Sequence, residues 1–79
     1  MDETSDRVRR VFVDTFHLEP GEVNPEAHLR NNLKMDSTEV VELAVALEQE
    51  FNVELNDGEL SNKQQVADII GIVRSKLGK

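Results

Sequence analysis

Cysteine, tryptophan and tyrosine are absent from these 79 residues, and 3 phenylalanines supply all the aromatic surface. Without cysteine, neither a disulfide nor a thiolate metal site can brace the fold. No apolar run approaches the roughly 20 residues that span a bilayer, so no membrane insertion is expected. The start, Met1-Asp2-Glu3-Thr4, is acidic, unlike a signal or transit peptide. These absences together favour the cytoplasm. A chain this short has room for one core and buries only about 60% of its unfolded surface, so residues 1–79 are expected to form a single domain of modest stability.

Positive charge is also missing where it would be most conspicuous. Residues 36–60 hold eight acids (Asp36, Glu39, Glu42, Glu48, Glu50, Glu54, Asp57 and Glu59) and no Lys or Arg. The remaining residues hold eight acids and nine bases, so the net charge of −7 comes from this one segment. Nucleic acid is excluded as an expected partner, because phosphate contacts need Lys and Arg. An anionic membrane surface is disfavoured for the same reason. A surface for basic partners is the positive expectation.

Hydrophobic spacing gives the fold class. Val8, Val11, Phe12 and Phe16 recur at helical intervals, predicting a first helix over residues 5–16. A polar loop follows over residues 18–35, with turns at Glu19-Pro20-Gly21 and Asn24-Pro25. Val23, Ala27, Leu29 and Leu33 are expected to pin it to the core. Asp36, with Glu39 three positions on, makes a capping-box pattern that opens a second helix over residues 37–51. Val40, Leu43, Ala44, Leu47 and Phe51 form its apolar stripe, and Asn52 is a plausible end. A short helical turn is expected near residues 57–60. Ser61 and Gln64 resemble another capping box, predicting a last helix from there to residue 77. Val66, Ile69, Ile70, Val73 and Leu77 repeat the same stripe. Gly71 inside it suggests close approach of another helix. No segment alternates with period two for long enough to make a strand. The expected fold is all-α: a small bundle of three main helices plus a short extra one, with a long loop between the first two.

The second helix has an unusual outer face. Thr38, Val41, Glu42, Val45 and Gln49 lie opposite the core stripe, flanked by Glu39 and Glu48. Val41 and Val45 are β-branched and poor helix formers, yet they stand where water is expected. Either they make an apolar contact patch ringed by acids, or the helix is buried on both sides. Ser37 also has two readings. It is either the N-cap itself, or the first helical residue with its hydroxyl exposed near unpaired backbone N–H groups. In the second position a phosphodiester on the serine would be favoured by the helix dipole.

The motif Asp36-Ser37-Thr38 at the head of this helix resembles the D-S-L motif of the acyl carrier protein family. The likeness continues through Val41-Glu42-Leu43-Ala44-Val45-Ala46-Leu47-Glu48-Gln49-Glu50-Phe51, similar to the family's V-E-L-x-x-A-L-E-E-E-F. It includes Glu22-Val23-Asn24-Pro25-Glu26-Ala27 upstream and Val66-Ala67-Asp68-Ile69-Ile70 downstream. The resemblance implies a single acyl-carrier-like domain, a monomer, that is not an enzyme. Ser37 would carry phosphopantetheine, transferred from coenzyme A by a phosphopantetheinyl transferase that Asp36 and Glu39 help to recruit. The arm's thiol would hold acyl groups as thioesters, which suits a chain with no thiol of its own. Thr38, Glu39, Val41, Glu42, Val45 and Glu48 would dock acyl-transferring and synthase enzymes through their basic patches. Leu43, Leu47, Phe51, Leu55 and Ile69 would pack the core and could also line a cavity for the acyl chain. Fatty-acid, polyketide and other lipid synthesis all remain open.

Two positions depart from the family pattern. Lys34 stands where the family usually has Gly, and Thr38 where it usually has Leu. Both bear on whether the carrier is general or dedicated to one pathway. They also leave room for the alternative of an unmodified interaction or regulatory module. Other chemistries find little support. His17 and His28, in or beside the polar loop, are the only imidazoles and read as surface or loop-packing residues. No zinc-ligand spacing or calcium-loop motif appears, so no metal is expected.

Overall fold

The computed structural model describes residues 3–56 and 58–78. Three α-helices account for most of them: α1 (Glu3–Phe16), α2 (Ser37–Phe51) and α3 (Val66–Lys76). α1 packs against both α2 and α3. Their apolar stripes meet in one cluster built on Val8, Phe12, Leu43, Leu47, Ile69 and Val73, all with no accessible surface. No helix among the described residues is long and apolar enough to cross a membrane.

Helix α2 has the bounds its sequence predicts. Asp36 Oδ1 accepts the Glu39 N–H at 2.9 Å, and Glu39 Oε1 accepts the Asp36 N–H at 3.1 Å. This reciprocal cap satisfies two otherwise orphaned donors, and replacing such a cap by Ala costs about 1 kcal/mol. Asn52 ends the helix in the left-handed conformation at φ 54°. His17 ends α1 in the same way at φ 57°. Both are residue types that enter this region more readily than most.

The long loop is held closely to the bundle. Val23, Ala27, Leu29 and Leu33 are buried as expected, and Met35, unremarked in the sequence pattern, is buried with them. Arg9 reaches from α1 to the carbonyls of Val23 and Pro20 at 2.7 and 3.1 Å. His28 is committed to the loop's own turn: its N–H donates to Asn32 Oδ1 and its Nδ1 accepts from the Asn31 N–H.

Three expectations are corrected. The short extra helix is a 3₁₀ turn at Pro20–Glu22, where Pro20 presets φ and Glu22 accepts the Glu19 N–H. Residues 58 and 59 form only a turn and a bend, and Asp57 lies outside the described residues. The last helix starts at Val66 rather than near Ser61. Gln64 Oε1 does accept the Ser61 N–H at 2.9 Å. The chain there turns instead to give the Gln64 and Asn62 carbonyls to the N–H groups of Leu29 and Arg30, both at 3.0 Å. A later pair, with Asp68 Oδ2 accepting the Gln65 N–H at 2.9 Å, opens α3. Finally, Gly71 is exposed and a Cβ there would meet nothing within 4 Å, so it serves no close helix approach.

Candidate functional site

Ser37 is the first residue of α2 and is exposed. The capping role belongs to Asp36, whose extended backbone and side-chain hydrogen bond fill the N-cap position. Among the described residues the Ser37 hydroxyl has no hydrogen-bond partner. A serine relieved of the structural task it would most often perform is free to be modified. Its position at a helix N-terminus favours a negatively charged ester there.

The outer face of α2 is open to solvent. Val41 is 63% and Val45 47% exposed, which disposes of a helix buried on both sides. Thr38, Glu42 and Gln49 are exposed beside them, while Glu39 and Glu48 are half-buried. The acids of this segment divide by what they bind. Glu50 is paired with Arg7 at 2.9 Å, and Arg7 lies over the Phe51 ring at 4.4 Å, fastening α1 to the end of α2. Glu59 pairs with Lys76 at 2.8 Å. The Lys76 hydrogen bond, with help from the Asn56 N–H, holds the Glu59 carboxyl below the ordinary glutamate range. Glu48 Oε2 accepts the Leu55 N–H at 3.0 Å, fixing the chain that follows α2. Asp36 and Glu39 are engaged with each other's backbone. Asp36, Glu39, Glu42, Glu48 and Glu54 form no ion pair with a cation among the described residues. Glu42 is the acid of the valine patch with no hydrogen-bond or ion-pair partner among the described residues.

A groove begins beside Ser37. Ser37, Val40 and Val41 face Leu60, Ser61 and Asn62 across its mouth. A pocket of about 130 Å³ adjoins it, sharing Val40, Val41 and Leu60 and lined further by Ala44, Val45, Glu48 and Leu55 among others. The far wall is tied down by Glu48 to the Leu55 N–H, Glu59 to Lys76, and Asn62 Nδ2 to the Met35 carbonyl at 3.2 Å. Of the five side chains expected to line an acyl cavity, Leu55 borders this groove. Leu43, Leu47, Phe51 and Ile69 lie in the close-packed core. Leu60, Ser61 and Asn62 complete the groove. They escaped the sequence reading because their place depends on hydrogen bonds across the fold.

Lys34 is exposed and adopts φ 58°, a left-handed conformation that favours glycine. Buried Leu33 and Met35 hold it from either side, with the Met35 N–H bonded to the Leu29 carbonyl at 3.0 Å. The backbone therefore retains the bend that glycine would make easily, although lysine occupies it.

The remaining candidates have structural places. His17 terminates α1 and His28 anchors a turn. Among the described residues no group of three or more His, Asp or Glu side chains converges to hold a metal ion.

Known proteins resemble this chain over most of its length. A family model described as PP-binding, phosphopantetheine attachment site, matches residues 6–73. An acyl carrier protein of Solidesulfovibrio magneticus is 35% identical over 75 residues, covering 95% of this chain and 96% of the relative. An acyl carrier protein 2 of Ralstonia nicotianae is 36% identical over 75 residues, covering 95% of this chain and 93% of the relative.

Proposed function

Because the chain belongs to the acyl carrier protein family, whose hallmark is a phosphopantetheine attachment site, we propose that Ser37 is the attachment residue and that residues 1–79 act as one non-enzymatic carrier of acyl groups. The observation that carries this reading is the exposed Ser37 hydroxyl, without a partner among the described residues, at the first position of a helix already capped by Asp36. When attached, phosphopantetheine supplies the thiol that holds an acyl group as a thioester. The protein's own residues do the rest. Asp36 and Glu39 fix the first turn of α2, so that the Ser37 hydroxyl is presented at a constant angle to the transferase. Val41 and Val45 supply apolar contact, and Thr38, Glu39, Glu42 and Glu48 add polar contact and negative charge that steers partner enzymes with basic patches.

The groove that Leu55, Leu60 and Asn62 form with α2 is the shelter we assign to an acyl chain. It opens at Ser37 and its walls are largely apolar, with Leu55 and Leu60 on the side opposite Val40 and Ala44. In this reading the protein works in the cytoplasm, in fatty-acid or related lipid or polyketide synthesis. Incubation with coenzyme A, magnesium and a broad-specificity phosphopantetheinyl transferase tests the attachment. The native chain gains the mass of one phosphopantetheine, whereas Ser37→Ala gains none. Gain by the Ser37→Ala variant would place the attachment elsewhere.

A further inference from the structure

Among the described residues, three of the four cations without a partner lie at the Ser37 end of the molecule. Arg7, Arg9 and Lys76 are each bound to a carboxylate or to backbone carbonyls, and Arg74 is tied to Ser5. Among the described residues, the bases left without a hydrogen-bond or ion-pair partner are Arg10, Arg30, Lys34 and Lys63. Three of these four hang from neighbouring pieces of chain. The Arg30 N–H bonds to the Asn62 carbonyl at 3.0 Å, so Arg30 lies beside the residue preceding Lys63. Asn62 Nδ2 bonds in turn to the carbonyl of Met35, the residue following Lys34. Asn62 also shares the mouth of the groove with Ser37. Residues 30, 34 and 63, distant in sequence, thus converge around Asn62 beside the serine, and all three are exposed.

The backbone at Lys34 is a second feature of this end of the molecule. A lysine in the left-handed region is strained, and buried neighbours on both sides prevent the bend from relaxing. Strain at an exposed residue beside a candidate site is a reason to seek a function for its side chain. The acids at this end, Asp36 and Glu39, both accept backbone N–H groups and form no ion pair with the three cations.

We propose that Arg30, Lys34 and Lys63 form a cationic collar that binds the phosphate of the group esterified to Ser37. The inference rests on the attachment reading above. It assigns to this chain a phosphate subsite that draws the base of the arm toward Asn62 and the mouth of the groove. It also divides the surface by charge, with cations at the head of α2 facing the arm and acids along its length facing partners.

The test compares thermal unfolding of the unmodified and phosphopantetheinylated forms, the extent of loading being checked by intact mass. Loading raises the melting temperature of the native chain at low salt, because the phosphate relieves repulsion among three cations and pairs with them. That increment shrinks as sodium chloride is added. It is lost in the triple variant Arg30→Gln, Lys34→Gln, Lys63→Gln, whose exposed side chains are not needed for the core. Phosphorus NMR gives a second readout: the resonance of the esterified phosphate in the folded native chain moves when the three charges are removed. An equal melting increment in native and triple variant, or an unmoved phosphorus resonance, overturns the collar while leaving the attachment intact. Failure of the native chain to load, seen by mass, overturns the attachment reading and the collar with it.

Discussion

At the scale of single residues, position relative to the helix cap decides what a side chain is free to do. Ser37 is one residue too late to cap α2, and Asp36 performs that role, so the hydroxyl remains exposed. The sequence offers both readings of this serine, since a serine and an aspartate are each good N-caps. The hydrogen bond from the Glu39 N–H to Asp36 separates them. Lys34 is the residue at which local chemistry and backbone conflict most. A non-glycine residue in the left-handed region loses about 1–2 kcal/mol, and glycine's extra freedom in the unfolded chain returns about 0.5–1 kcal/mol of that. Lys34→Gly is therefore expected to stabilise the unmodified protein by roughly 0.5–1 kcal/mol, measured by urea denaturation. A loss of stability would mean that the lysine side chain contributes contacts that outweigh its backbone strain. Composition and spacing could not reveal this bend, because it is imposed by buried neighbours.

At the scale of elements, α2 was legible in full and α3 only in part. The Asp36–Glu39 cap, the stripe ending at Phe51 and the left-handed Asn52 agree on the same helix. The Ser61–Gln64 pattern also forms a hydrogen bond, but long-range bonds from Leu29 and Arg30 capture the carbonyls of Gln64 and Asn62. Tertiary pairing thus delays the helix to Val66. The segment between α2 and α3 depends on polar ties, and one of them titrates. Glu59 is held below its ordinary pKa by Lys76 and the Asn56 N–H. A depressed carboxyl stabilises the fold above the unfolded pKa, and that contribution is lost as pH falls through the folded value. Hydrogen-exchange protection of residues 55–64 should therefore fall as the solution is acidified through and below the ordinary glutamate range. Glu59→Gln should remove most of this pH dependence and leave α1 little changed. An unchanged acid response in that variant would assign the sensitivity to other carboxylates.

At the scale of the whole molecule, charge is sorted more finely than the net value of −7 suggests. Glu50 and Glu59 are paired with Arg7 and Lys76, whereas Glu42, beside Val41 and Val45, has no ion-pair partner among the described residues. The acidic segment was plain in the sequence, but which acids remain available was not, because Arg7 and Lys76 arrive from other helices. Glu42→Lys should weaken docking to a basic partner enzyme roughly 3- to 10-fold at low salt, with the difference narrowing as ionic strength rises. Circular dichroism should show the same helical fold. Equal partner turnover by native chain and variant at low salt would remove Glu42 from the docking surface.

The measurement that bears most directly on the central claim is fragmentation mass spectrometry of the protein purified from its own cells during growth. The account predicts a peptide containing Ser37 that carries one phosphopantetheine and releases it on fragmentation. A peptide around Ser37 found wholly unmodified, across growth conditions in which the protein is abundant, would contradict it and favour an interaction module that keeps the carrier fold without the arm.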